Sequence, residues 1–120
     1  LADLGGVDAI CSVFGAVGLV APELLLPPIA QRLEPGGTLA FSVPHPQRDG
    51  HRPSIDDRPR RDIVRLPDGA RLTVTRWDFD ATRWEKHLDH ASLWFTSAQE
   101  FHDTRPGCRP TTLLITARKL

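Results

Sequence analysis

Arg32-Leu-Glu-Pro-Gly-Gly-Thr-Leu-Ala-Phe-Ser-Val-Pro-His-Pro46 decides how the rest of the chain is read. A charged helix end runs into Pro35-Gly36-Gly37, and an apolar burst follows, "TLAFSVP", residues 38–44. Apolar side chains on both faces suit a central parallel strand with helices on both sides. The segment before it, "PELLLPPIAQRLE" over 22–34, repeats Leu25, Ile29 and Leu33 at helical spacing. Pro27 and Pro28 would cost about 3 kcal/mol each in a helix interior, so the regular helix is expected near Leu24 to Leu26, or kinked there. Gly36 and Gly37 are expected to stop it in the left-handed manner. Further back, "VDAICSV" over 7–13 is a short apolar run of strand type, broken by Gly15 and Gly18. Strand, helix and buried strand make one parallel crossover unit. Ligands on such sheets gather at the carboxyl ends of the strands, here Ser12 to Gly15 and Ser42 to His45.

Working outward, residues 45–62 are proline-rich, charged and aperiodic, which predicts a surface loop or lid. "DIVRL" and "ARLTVTRW" around Pro67-Asp68-Gly69 predict a β-hairpin. "DATRWEKHLDHA" predicts a short helix with Asp80 as N-cap and Trp84, Leu88 and Ala91 on one face. "LWFTSAQEF" and "TTLLITARKL" predict two strands, joined by a connection long enough for an antiparallel return. The order is an open α/β sheet that finishes in an antiparallel pair. One domain over 1–120, with 45–78 as a lid and hairpin insertion, is the expected organisation.

The chain has 120 residues, fifteen basic against fifteen acidic. That balance offers no basic field and argues against nucleic acid as the main partner. No apolar run reaches the roughly 18 residues of a membrane span, and no signal peptide is visible. Cys11 and Cys108 show no metal spacing and are expected to be small buried or incidental thiols in a reducing cytoplasm. The chain contains no methionine and begins almost at once in a strand. Either its start was processed or it is a piece of a longer protein.

The order of elements and several phrases resemble the C-terminal half of class I methyltransferases that use S-adenosylmethionine. "VDAICSVFGAVGLV" is similar to that family's fourth strand and following loop. "LLLPPIAQRLEPGGTLAFSVPHP" is similar to the next helix, turn and fifth strand. "WDFDATRWEKHLDHASLWFTSAQEF" resembles the late helix and sixth strand, and "PTTLLITARKL" the seventh strand. The resemblance implies a partial Rossmann-like sheet, with the last strand inserted antiparallel between strands five and six. It also implies methyl transfer to a small-molecule acceptor. Ser12, Val13 and Phe14 would then line the cofactor, and Gly15 would allow its close approach. The family's glycine-rich loop and ribose-binding acid are not recognisable: Gly15-Ala-Val-Gly18 is G-x-x-G and lacks an acidic partner roughly 20 residues on. The isolated chain is therefore expected to be inactive, its other cofactor wall supplied by a missing N-terminal half. A non-catalytic remnant, a partner-docking half and part of a nucleotide-dependent oxidoreductase remain open.

His45 ends a buried strand on the ligand side, and an imidazole accepts protons near neutral pH. It is the candidate catalytic residue and a candidate substrate contact. Trp77, Trp84 and Trp94 are expected to be packing residues, and of the three Trp77, after the hairpin, is the second substrate candidate. Asp8 lies at the amino end of its strand, away from the ligand edge. His87 and His90 share a helix face, but His51 and His102 are in distant segments, so no metal site is expected. Arg48, Arg52, Arg58, Arg60 and Arg61 crowd the lid. Asp49, Asp56, Asp57 and Asp62 nearly cancel them, which predicts a solvated loop rather than an anion site.

Overall fold

The computed structural model describes residues 6–102, 104, 105, 107 and 110–120. Cys108 lies outside the described residues. Strand β1 (Val7–Val13) leads to helix α1 (Pro22–Arg32) and strand β2 (Leu33–Pro44). A short 3-10 turn (Arg48–Gly50) precedes a hairpin of β3 (Arg60–Arg65) and β4 (Arg71–Arg76). Helix α2 (Ala81–His90), β5 (Leu93–His102) and β6 (Pro110–Lys119) complete the chain.

Four strands form one sheet in the order β1-β2-β6-β5, and β3-β4 forms a second, two-stranded sheet. β1 and β2 run parallel, whereas β6 is antiparallel to both of its neighbours. The expected insertion of the last strand is therefore present. So is the hairpin: Gly69 takes a φ of +85° in its turn, and Asp68 Oδ1 accepts the Ala70 N–H at 2.9 Å.

Helix α1 departs from its expected start. It begins at Pro22 and runs through Pro27 and Pro28. Pro22 loses nothing at the first helical position, where the N–H has no intrahelical acceptor. Pro27 and Pro28 remove the donors for the carbonyls of Glu23 and Leu24. All four of these residues are exposed, so water can serve those carbonyls. The helix ends at Arg32, because Leu33 is already extended at φ −74°, ψ 136°. Gly36 does take a left-handed φ of +83°, yet within β2 rather than as a helix cap. There the register with β1 jumps from Val7↔Leu33 to Ala9↔Thr38, and the Pro-Gly-Gly segment forms the irregularity.

The core lies on one face of the sheet. Leu39, Phe41 and Val43 of β2 alternate inward and pair with Ala117, Ile115 and Leu113 of β6, all buried. Leu26 and Ala30 of α1, with Trp84 and Leu88 of α2, cover them. Trp84 sits edge-on to both Phe41 and Phe79, with ring centroids 5.1 and 5.0 Å apart. As expected, Asp80 caps α2, accepting the Arg83 N–H at 2.9 Å. The helices touch one another and pack on this same face. Helices on both faces of β2 were expected; among the described residues only one face is covered. The opposite face carries Thr38, Ala40 and Ser42 half-exposed, and Trp94 is 61% exposed on β5. Trp94 is thus not a packing residue, since its register partner Arg118 lies on the bare face. Cys11, also on the edge strand β1, is an exposed free thiol rather than a buried one.

Candidate functional site

The carboxyl ends of β1 and β2 share one rim. The Phe14 N–H donates to the Ser42 carbonyl at 3.0 Å, and three residues further His45 N–H donates to the Thr111 carbonyl of β6 at 2.9 Å. Phe14 is half-exposed and takes a left-handed φ of 48°, sparsely populated for a residue with a side chain. Such strain at a strand end persists where surrounding structure enforces it, often at binding sites. Val13 beside it is 75% exposed. Ser12 Oγ is buried and unpartnered among the described residues. A Cβ on Gly15 would stand 3.0 Å from that oxygen, so a side chain there would crowd the orphaned hydroxyl. Gly18, at φ +93°, turns its carbonyl to the Trp77 N–H at 2.9 Å. That bond ties the half-buried Trp77, after the hairpin, to the loop behind β1.

His45 is buried, and both ring nitrogens are occupied. Nδ1 accepts the Gln47 N–H at 3.0 Å, which puts the proton on Nε2, facing Glu100 Oε1 at 2.9 Å. Glu100 is near the carboxyl end of β5, so one histidine links β2 to β5 across the top of β6.

The lid is not the freely solvated loop that its composition predicts. Arg48 Nη1 donates to Asp78 Oδ1 and to the His45 carbonyl, both at 2.9 Å. Arg48 Nη2 donates to Asp62 Oδ2 at 2.9 Å. Arg60 Nε reaches Asp78 Oδ2, and Arg76 Nε reaches Asp62 Oδ2, each at 2.9 Å. The Arg48 and Asp62 side chains keep only 12% and 17% of their exposure. Burial opposes the Arg48 charge, but the hydrogen bonds and charges of Asp78 and Asp62 outweigh it and raise its pKa. Burial likewise pushes Asp62 up, and Arg48 and Arg76 more than reverse this, leaving its carboxyl below the ordinary range. Sequence reasoning missed this network because it omitted Asp78, outside the charged stretch and 30 residues from Arg48. The outer lid does meet solvent: Arg58 remains 86% exposed in its pair with Asp56.

His87 stacks on Phe79 at 4.9 Å and bonds to Asp57 at 3.0 Å. No group of three or more His, Cys, Asp or Glu stands ready for a metal among the described residues. Asp8 is exposed near the amino end of β1. Among the described residues, no helix is long and apolar enough to cross a membrane.

No family model matches the chain, and no curated protein matches it in sequence. Its fold has close counterparts. A candidate S-adenosylmethionine-dependent methyltransferase of Listeria monocytogenes superposes over 98% of this chain with a TM-score of 0.69 at 18% identity. The fold is that of these methyltransferases. An S-adenosylmethionine-dependent methyltransferase of Mesorhizobium loti matches over 98% of the chain, with a TM-score of 0.64 and 20% identity. The glycopeptide N-methyltransferase MtfA, solved with S-adenosylmethionine, matches over 97%, with a TM-score of 0.66 and 14% identity. The chain spans 65%, 66% and 55% of these three proteins' lengths.

Proposed function

We propose that this chain is the C-terminal part of an enzyme that transfers a methyl group from S-adenosylmethionine to a small-molecule acceptor. The observation that carries the proposal is the sheet order, with β6 inserted antiparallel between β2 and β5 and one rim joining the ends of β1 and β2. An oxidoreductase sheet offers no such reason for the terminal antiparallel pair.

The rim fits one side of the cofactor. Phe14 and Val13 would give it an apolar wall, Ser12 Oγ a hydrogen bond, and the backbone at Gly15 a close approach. When bound, the cofactor supplies an electrophilic methyl group, and this chain's part is to orient the partners beside it. Trp77, held on Gly18, would stand on the acceptor side. His45 would act on the acceptor only where a proton must leave: Nδ1 takes it once the Gln47 N–H turns away, and Glu100 then steadies the imidazolium. The second cofactor wall belongs to an N-terminal segment or partner that pairs along the free edge of β1 and covers the bare sheet face. The exposed Val13, Phe14, Trp94 and Phe101 support that arrangement.

Calorimetry with S-adenosylmethionine tests the reading in two arms. The 120-residue chain alone should bind no tighter than millimolar, and micromolar affinity would refute its incompleteness. The chain joined to the segment encoded immediately upstream should bind at micromolar level. Failure of that longer protein to bind would sink the methyltransferase reading.

A further inference from the structure

We propose that the hairpin and lid form a binding site for an oxyanion, a carboxylate or phosphate carried by the acceptor. The ligand's identity as acceptor rests on the methyl-transfer reading; the anion site itself does not.

The lid network gathers guanidinium groups and leaves some of its donors unused. Arg48, Arg60 and Arg76 bring three guanidinium groups to the two carboxylates of Asp62 and Asp78. Two polar groups beside Asp78 are unsatisfied. Arg60 bonds to the Asp78 carboxylate through Nε, and its Nη2 is buried without a partner. Ser54 N–H bonds to the Asp78 carbonyl at 2.9 Å, and its Oγ is buried without a partner. Of the two, Arg60 lines a cleft, where an incoming oxygen acceptor would satisfy its Nη2.

A cleft of about 380 Å³ opens at this point, lined by His51, Arg60, Arg61, Asp62 and Ile63. Arg61 is exposed there with no partner among the described residues. A planar guanidinium suits the two oxygens of a carboxylate or phosphate. The position also fits the rim: Arg48, at the centre of the network, donates to the carbonyl of His45. An anion held on the hairpin would thus be anchored to the end of β2.

Nitrogen-15 NMR of the 120-residue chain tests this without any methyl donor. Sodium acetate and sodium phosphate are titrated against sodium chloride at matched ionic strength, reading the arginine Nε–H and His51 signals. Saturable shifts at His51, Arg60 and Arg61 are expected. Stronger binding of acetate would assign a carboxylate ligand, and of phosphate a phosphorylated one. Arg61→Gln should weaken the effect about tenfold, the loss of one charge-assisted hydrogen bond. Arg61→Lys should restore part of it, and Arg58→Gln should change nothing. Both arginines are exposed, and an unchanged melting curve checks that the variants fold. Shifts reproduced by chloride, shifts spread equally over Arg58, Arg71 and Arg118, or indifference to Arg61→Gln would overturn the site. Anion binding with a failed cofactor test would leave the site standing and the methyl-transfer reading fallen, and the converse separates them equally well.

Discussion

The helix-covered face of the sheet and the lid are held by different forces. The first is a closed apolar cluster, with Phe41, Phe79, Trp84, Leu39 and Ile115 each at 1% exposure or less. The second has no such cluster: Ile55 is 92% exposed, Ile63 61% and Leu72 50%. Its order comes from ion pairs centred on Asp62 and Asp78 and from the pinning of its loop to α2. There Asp57 meets Arg83 at 2.8 Å and His87 at 3.0 Å. Apolar burial is non-directional and indifferent to pH. Ion pairs are directional and depend on protonation. A scaffold of the first kind can stay fixed while a cover of the second kind responds to what it binds.

The comparison breaks at once if the two regions fail together. Trp84→Ala removes the ring shared by Phe41 and Phe79, and should cost about 3–5 kcal/mol. The whole protein should melt earlier in one transition by circular dichroism. Asp78→Ala takes the shared carboxylate from the buried Arg48 and the partly exposed Arg60, on the order of 3 kcal/mol locally. Limited proteolysis should then cut within 48–76 while the sheet's own melting moves far less. A fall in global melting as large as that of Trp84→Ala would show that the lid and core are one cooperative unit.

Lowering the pH sharpens the same contrast. The folded carboxyls of Asp62 and Asp57 titrate below their usual 3.8, Asp57 at about 2, chiefly through its hydrogen bond to Arg83. A lowered folded pKa means that the stabilisation is complete above about pH 4 and is lost as the pH falls from there through the folded values. Protease sensitivity of the lid should rise between pH 4 and 2, ahead of loss of the sheet's circular dichroism. Asp57→Asn should be the mildest change, at most about 1 kcal/mol, because the Asp57 carboxylate itself is about half-exposed. A larger loss in its melting curve would mean that the loop bears on the core.

Short apolar runs made the sheet strands legible, and helical spacing of apolar residues both helices. Asp80 marked the start of α2, and the turn residues marked the hairpin. The rim was legible as well, because strand ends at a parallel crossover face one edge. Phe14 and His45 accordingly lie on adjacent strand ends. What escaped were features in which distant residues meet. The start of α1 at Pro22 depended on whether Pro27 and Pro28 could face water. The bare sheet face depended on α1 and α2 packing on the same side. The use of both His45 nitrogens depended on Glu100, 55 residues away.

Periodicity and turn chemistry belong to the sequence by itself, because backbone geometry repeats over a few residues and imposes its spacing locally. Which charges are buried, and which polar atoms are left without partners, belongs to tertiary structure alone. Composition counts the arginines and aspartates of the lid as nearly cancelled. Only the fold brings Asp78 beside Arg48 and Arg60 and leaves the Arg60 Nη2 without a partner.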